Sequence, residues 1–236
     1  MNGVDEVAAV VSGHRALATA GLADLIWGHL AVRDAGGRGV WSKAAGWGFE
    51  EVTPERVILV SNENTVLAGE GSPHLECLIH TSVMARRPDA AVTIHTHSEA
   101  AIAFASLEVP LRPLSHDAIP FLDPDIPRFG MSDLISTPER GAALASALGD
   151  AAGCLIPGHG AVVVGEDLAH AVMHAVLLER ACRIQLSAMS AGGPRTWSDD
   201  AEVASKRAGL WSDRQIHAGF DYLVRGVDRR DRPVSE

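Results

Sequence analysis

Cysteine and positive charge are both scarce in this sequence. Only three cysteines occur in 236 residues, Cys77, Cys154 and Cys182, far apart and each among apolar neighbours. They read as reduced core residues, which excludes a disulfide-stapled scaffold and a thiolate metal site. Lysine and arginine number 20 against 30 aspartates and glutamates, a net charge of -10, which argues against a nucleic-acid surface. No apolar run reaches the length of a membrane span. The opening residues, Met1-Asn2-Gly3-Val4-Asp5-Glu6, lack the basic start and apolar core of a signal peptide, so a cytoplasmic chain is expected. There is no internal repeat and no regular βαβ alternation. The remainder is 47% hydrophobic and 21% charged, in a chain long enough for one large domain with a real core.

Histidine, by contrast, occurs 11 times, and its placement is uneven. The run Val92-Thr93-Ile94-His95-Thr96-His97 reads as a buried strand that ends in two histidines. Residues i and i+2 of a strand share a side, so His95 and His97 present two imidazoles to one point. A second apolar run, Gly153-Cys154-Leu155-Ile156, leads into the glycine-flanked turn Pro157-Gly158-His159-Gly160. Three histidines at strand ends fit the three-ligand, one-open-position pattern of a catalytic metal.

Elsewhere the punctuation is clear. Helical spacing over residues 4–20 stops at Gly21, and a glycine-rich turn at residues 34–39 joins two hairpin strands. Val57-Ile58-Leu59-Val60 is a buried strand, and a helix is expected over residues 75–87. Five prolines make residues 109–131 largely loop. Ser136-Thr137-Pro138-Glu139 starts a helix that runs to Gly149, Asp167 caps a long one reaching Ser190, and one amphipathic helix is expected over residues 199–225. These elements predict an α/β fold, a mixed or antiparallel sheet covered by helices on both faces.

Glu76 starts the helix that precedes the histidine strand. A carboxylate there suits the helix dipole. Entering an apolar helix at a Gly-Pro turn, it equally suits a general base or a switchable metal ligand. His80, one turn on, reads as a core histidine bonded to backbone. His170 and His174, spaced i and i+4, read as packing or interface residues. Trp47 and Phe49 suit core packing or a wall for a flat ring.

The combination Ser72-Pro73-His74-Leu75-Glu76-Cys77-Leu78-Ile79-His80, Arg86-Arg87-Pro88-Asp89, the strand to His97, and Pro157-Gly158-His159-Gly160 with Gly165-Glu166-Asp167 resembles the class II aldolase/adducin family. The likeness runs from the first helix to Ser190. It implies a three-layer α/β/α sandwich around a mostly antiparallel sheet over residues 1–236, with a C-terminal helical extension from about 194. It further implies a homotetramer with sites at subunit interfaces. His95, His97 and His159 match the family's metal-binding histidines, and Glu76 matches its acid/base glutamate.

The departures narrow the reading. The family's sugar-phosphate aldolases hold phosphate with Gly-Asn, Ser-Gly and paired serines, where this sequence has Gly28-His29, Ser42-Lys43 and His74-Leu75. With that cradle mostly missing, a phosphorylated substrate is disfavoured. Retention of Glu76 separates the chain from the family's epimerases, and the full histidine set separates it from the cytoskeletal adducins. The resemblance therefore implies a lyase with one divalent metal, Zn2+ or Mn2+. Its reaction would be decarboxylation of a hydroxylated aromatic or heteroaromatic dicarboxylate through an enolate-like intermediate. Glu76 or His74 would deliver the proton, and His29, Arg33, Ser42, Lys43 and His116 would form the substrate pocket. An aldolase acting on a non-phosphorylated hydroxy-keto acid or sugar and a non-catalytic adducin-like scaffold remain open. No nucleic-acid or membrane partner is expected.

Overall fold

The short runs rich in valine and isoleucine pair side by side because each is apolar on both faces and must be covered twice. A computed structural model describes residues 3–123 and 125–230. Within them β1 (His29–Arg33), β2 (Gly39–Lys43), β3 (Val57–Ser61), β4 (Val66–Ala68), β5 (Val92–Thr96), β6 (Gly153–Ile156) and β7 (Gly160–Gly165) form one sheet. Its order is β4-β3-β2-β1-β5-β7-β6, and every adjacent pair is antiparallel. The short β4 carries no alternation that a sequence reading could register.

Strand alternation assigns the two faces. Leu30, Val32, Val92 and Ile94 point into a core with α1 (Gly3–Thr19), α3 (Glu99–Ala105) and α5 (Leu168–Ser190). Their neighbours Ala31, Val162 and Val164 point the other way, against α2 (Leu78–Arg86) and α4 (Pro138–Leu148). The result is the expected α/β/α sandwich. Caps mark the helices as read: Thr137 accepts from Arg140 N–H, and Asp167 from His170 N–H.

Two boundaries differ from expectation. The helix predicted from residue 75 begins at Leu78. Residues 74–80 enter it through tight i to i+3 bonds, Cys77 N–H to His74 O, Ile79 N–H to Glu76 O and His80 N–H to Cys77 O. The C-terminal helix is two, α6 (Asp200–Gly209) and α7 (Asp213–Arg230), because Ser212 O takes the first N–H bonds of a new helix. Ile216 is buried, and Phe220 and Leu223 pack on the same core, so α7 joins the sandwich. The proline-rich segment, apart from Pro124 outside the described residues, holds only a 3-10 turn at His116–Phe121 and one bridge from Arg128 to Leu155. No described helix is long and apolar enough to cross a membrane.

Candidate metal centre

The site assembles where β5 ends. His29 of β1 stands opposite His95 of β5, and Thr96 opposite Ala161 of β7, so the turn between β6 and β7 lies beside the end of the histidine strand. Gly158 turns with φ of 68°, and a Cβ at Gly160 would stand 2.1 Å from Thr96 O. Only glycine lets β7 approach so closely. The lead-in to α2 closes the group from above with Glu76.

His95, His97, His159 and Glu76 each present one ligand atom, all within 4.8 Å of one another. The Nε2 atoms of His95 and His97 are 3.0 Å apart. His159 Nε2 lies 3.3 Å and His95 Nε2 3.8 Å from Glu76 Oε2. His95 Nδ1 donates to Ala161 O at 3.0 Å, and His97 Nδ1 donates to Asp24 Oδ2 at 2.7 Å. With both Nδ1 protons placed, two Nε2 lone pairs face each other, an arrangement that a cation between them relieves. Carboxylate and carbonyl partners on the far nitrogen are what orient metal-ligating imidazoles. The donor set therefore fits a divalent metal.

Electrostatics agree with that use. Burial, reinforced by the His97 ring, holds His95 neutral by pushing its pKa well below the usual range, and a ligating imidazole must be neutral. Burial pushes the Glu76 carboxyl up, but the bond from His159, the nearby His95 and the Ile135 N–H at 2.7 Å outweigh it and bring it to about 2. Glu76 is anionic at the end of a buried turn.

A cleft of about 520 Å³ opens over the cluster, lined by His29, His74, Glu76 and His97 at its floor and by Ile26, Trp27, Leu75 and Leu134 around it. Lys43 is fully buried, and its ammonium donates to Ile26 O at 2.9 Å, Trp47 O at 2.8 Å and His74 Nε2 at 2.9 Å. Burial lowers its pKa to about 8. An ammonium has no acceptor to offer, so His74 accepts at Nε2 and carries its proton on Nδ1. Burial, with Lys43 next, keeps that imidazole neutral at about 3.

The structure redistributes the expected pocket. His29 and His74 line the cleft, whereas Arg33, Ser42, Lys43 and His116 do not. Arg33 sits at the far end of β1 and ties the carbonyls of Met84, Arg87 and Ala90 at the C-terminus of α2. Ser42 Oγ donates to Leu30 O across the sheet. Lys43 is a tether with its donors committed, and His116 is exposed beneath Trp211, whose Nε1–H donates to His116 O. Phe49 is core and Trp47 lies under Arg56, so the aromatic wall is Trp27, which the sequence reading passed over. His80 is buried as expected but bonds side chains, His29 Nδ1 at 2.6 Å and the Thr93 hydroxyl, instead of backbone. Asp24 was also missed; its partner is 73 residues away. His174 donates to Val164 O and His170 bonds Asp167, in keeping with packing roles. The three cysteines are free and buried, their thiols pushed up to about 12 by burial.

Comparison with known families matches residues 8–186 to the Class II Aldolase and Adducin N-terminal domain. Among curated proteins the chain is 30% identical over 166 residues to the decarboxylase NovR of Streptomyces niveus, covering 70% of this chain and 61% of that protein. It is 26% identical over 209 residues to the 3,4-dihydroxyphthalate decarboxylase of Arthrobacter keyseri, covering 83% and 84%. The chain spans 56 to 63% of the length of the first curated relatives it matches. Among solved structures, an L-fuculose 1-phosphate aldolase from Glaciozyma antarctica PI12 aligns with a TM-score of 0.84 at 26% identity, over 95% of this chain and 89% of that one.

Proposed function

This chain belongs to the class II aldolase/adducin family, and from that premise we propose that it is a metal-dependent carboxy-lyase acting on a hydroxylated aromatic or heteroaromatic acid. The observation that carries the reading is the meeting of three imidazoles, His95, His97 and His159, with a buried, anionic Glu76, at a cleft that Glu76 and His97 line. Two decarboxylases among the relatives support it. His95, His97 and His159 would hold one divalent cation, zinc first for its affinity for imidazole and manganese second, supplying Lewis-acid stabilisation of the ring oxygen as it becomes anionic.

The chain's own groups account for the protons. Glu76 takes the hydroxyl proton of the seated acid and returns it to the adjacent ring carbon that bears the carboxylate. Cleavage of the bond to CO2 then sends its electron pair back into the ring and out to the oxygen, restoring aromaticity. A proton from solvent completes the product. His74, its proton fixed on Nδ1 by Lys43, is a donor that can hold the departing carboxylate in place.

A cytoplasmic homotetramer is the assembly that goes with this reading, supported by the family resemblance. The test is product analysis. Metal-loaded protein incubated with ortho-hydroxylated aromatic acids should release CO2. Release of pyruvate or an aldehyde from a hydroxy-keto acid, with no CO2 from any arene, would return the chain to the aldolases. Protein that binds no metal would be a scaffold.

A further inference from the structure

The cleft above the histidine cluster has two chemically different ends. Its floor is imidazole and carboxylate. Its mouth is Ile26, Trp27, Pro73, Leu75 and Leu134. Of the nine large apolar side chains that stand exposed among the described residues, four line this one cleft: Leu75 at 71%, Trp27 at 51%, Leu134 at 46% and Ile26 at 42%. Exposed apolar surface gathered around a concavity, with polar groups only at its base, is the signature of a small-molecule site that takes an apolar body.

Charge sharpens the point. No lysine or arginine lines the cleft. Lys43, the nearest in the fold, has its donors on Ile26 O, Trp47 O and His74 Nε2, and Arg33 is bound to the end of α2. The one carboxylate in its lining is Glu76, an anion. An anionic group placed at the mouth would lose water against leucine and tryptophan with no cation in return, which is costly. An alkyl or aryl group would instead gain by burial.

We propose that the Trp27–Leu75–Leu134 mouth is a specificity subsite for an apolar ring substituent. The preferred acid is a hydroxyarene with one carboxylate at the histidine end and an alkyl or aryl group at the mouth. This rests on the carboxy-lyase reading and adds which acids within that class are taken. The competing occupant is a second copy of the chain. A concavity of about 520 Å³ whose lining runs on to Glu76 and His97 favours a ligand.

The test separates binding from turnover. Salicylate, a series of salicylates with a butyl group at each open ring position, and 3-hydroxyphthalate are titrated into zinc-loaded protein by calorimetry, and CO2 release is followed for each. At least one butyl salicylate should bind ten-fold or more tighter than salicylate, and 3-hydroxyphthalate should gain nothing. In Leu75→Ser/Leu134→Ser, with metal content and oligomeric mass checked, the butyl-to-parent ratio should fall towards one. Tighter binding of 3-hydroxyphthalate than of every butyl acid would overturn the proposal. So would an unchanged ratio in the double variant, and a smaller oligomer in that case would assign the mouth to a subunit contact. If butyl acids bind tightly but no acid releases CO2, the subsite stands and the lyase reading falls. If 3-hydroxyphthalate both binds best and turns over best, the lyase reading stands and the subsite falls.

Discussion

Glu76, His95 and His97 are each oriented by what holds their second atom, whereas His159 Nδ1 is buried without a partner among the described residues. Glu76 Oε1 accepts from Ile135 N–H, leaving Oε2 to face His95 and His159. Glu76→Gln keeps that backbone bond and the shape of the turn while removing the base. It should retain bound metal and lose turnover by about a hundred-fold or more. Steady-state CO2 release beside metal analysis checks this, and wild-type rates would return Glu76 to a helix-entry role. Asp24 acts through His97 Nδ1. Asp24→Asn should weaken metal binding by roughly 10- to 100-fold, as loss of a partner behind a ligand does, with the fold intact by circular dichroism. Affinity by chelator competition decides it; an unchanged constant would remove Asp24 from the site. His95 and His97 were legible because a two-residue alternation is local, and His159 because a glycine turn announces itself. Asp24, and the real destinations of Arg33 and Lys43, depend on chain segments far away in sequence. No spacing reports those.

At the scale of elements, the centre depends on how closely β7 can pass the end of β5. A methyl at Gly160 would meet Thr96 O at 2.1 Å and the His97 ring at 3.2 Å. Gly160→Ala should therefore separate the strand ends and destabilise the chain by about 1–3 kcal/mol, the usual range for overpacking. Metal affinity should fall with it, although the alanine contacts no ligand atom. Urea unfolding of the metal-free chain measures the first effect and chelator competition the second. A neutral result in both would mean that β7 is not what positions His159. Element types were readable where periodicity and caps agree, as at α5 with Asp167 and α4 with Thr137. The helix before the histidine strand was placed three residues early, because an i to i+3 lead-in and an α-helix share one hydrophobic pattern. The break between α6 and α7 carries no proline; α6 ends at Gly209, Ser212 O takes the first N–H bonds of α7, and Ile216 then docks α7 on the core.

For the molecule as a whole, the layers were implied by the alternation of strands buried on both faces with amphipathic helices. Strand order was not, since it is decided by which crossover buries more surface. The finished sandwich encloses several buried imidazoles, His14, His29, His80 and His95. His14 bridges Val10 O and Leu30 N–H, and His80 joins His29 to Thr93. Burial, foremost, lowers His14 and His80 from 6.5 to about 3. Because the folded values lie below the unfolded one, stability is complete above pH 6.5 and is lost as pH falls towards 3. Each pH unit in that window costs about 1.4 kcal/mol per excluded proton, so the pair should cost about 4 kcal/mol at pH 5. Denaturation midpoints of metal-free protein at pH 7.5 and 5 should differ accordingly. Equal midpoints would show that these imidazoles are not held neutral in the fold.

The claim on which everything else stands is that His95, His97 and His159 form one metal site that the reaction needs. The direct measurement is metal stoichiometry beside CO2 release from an ortho-hydroxylated aromatic acid, for the wild type and for His95→Ala, His97→Ala and His159→Ala. The wild type should hold one zinc or manganese per chain and lose activity in step with its removal by chelator. Each variant should be folded, metal-poor and inactive. A variant that keeps a full complement of metal and normal CO2 release, or a wild type that works equally well stripped of metal, would contradict the account.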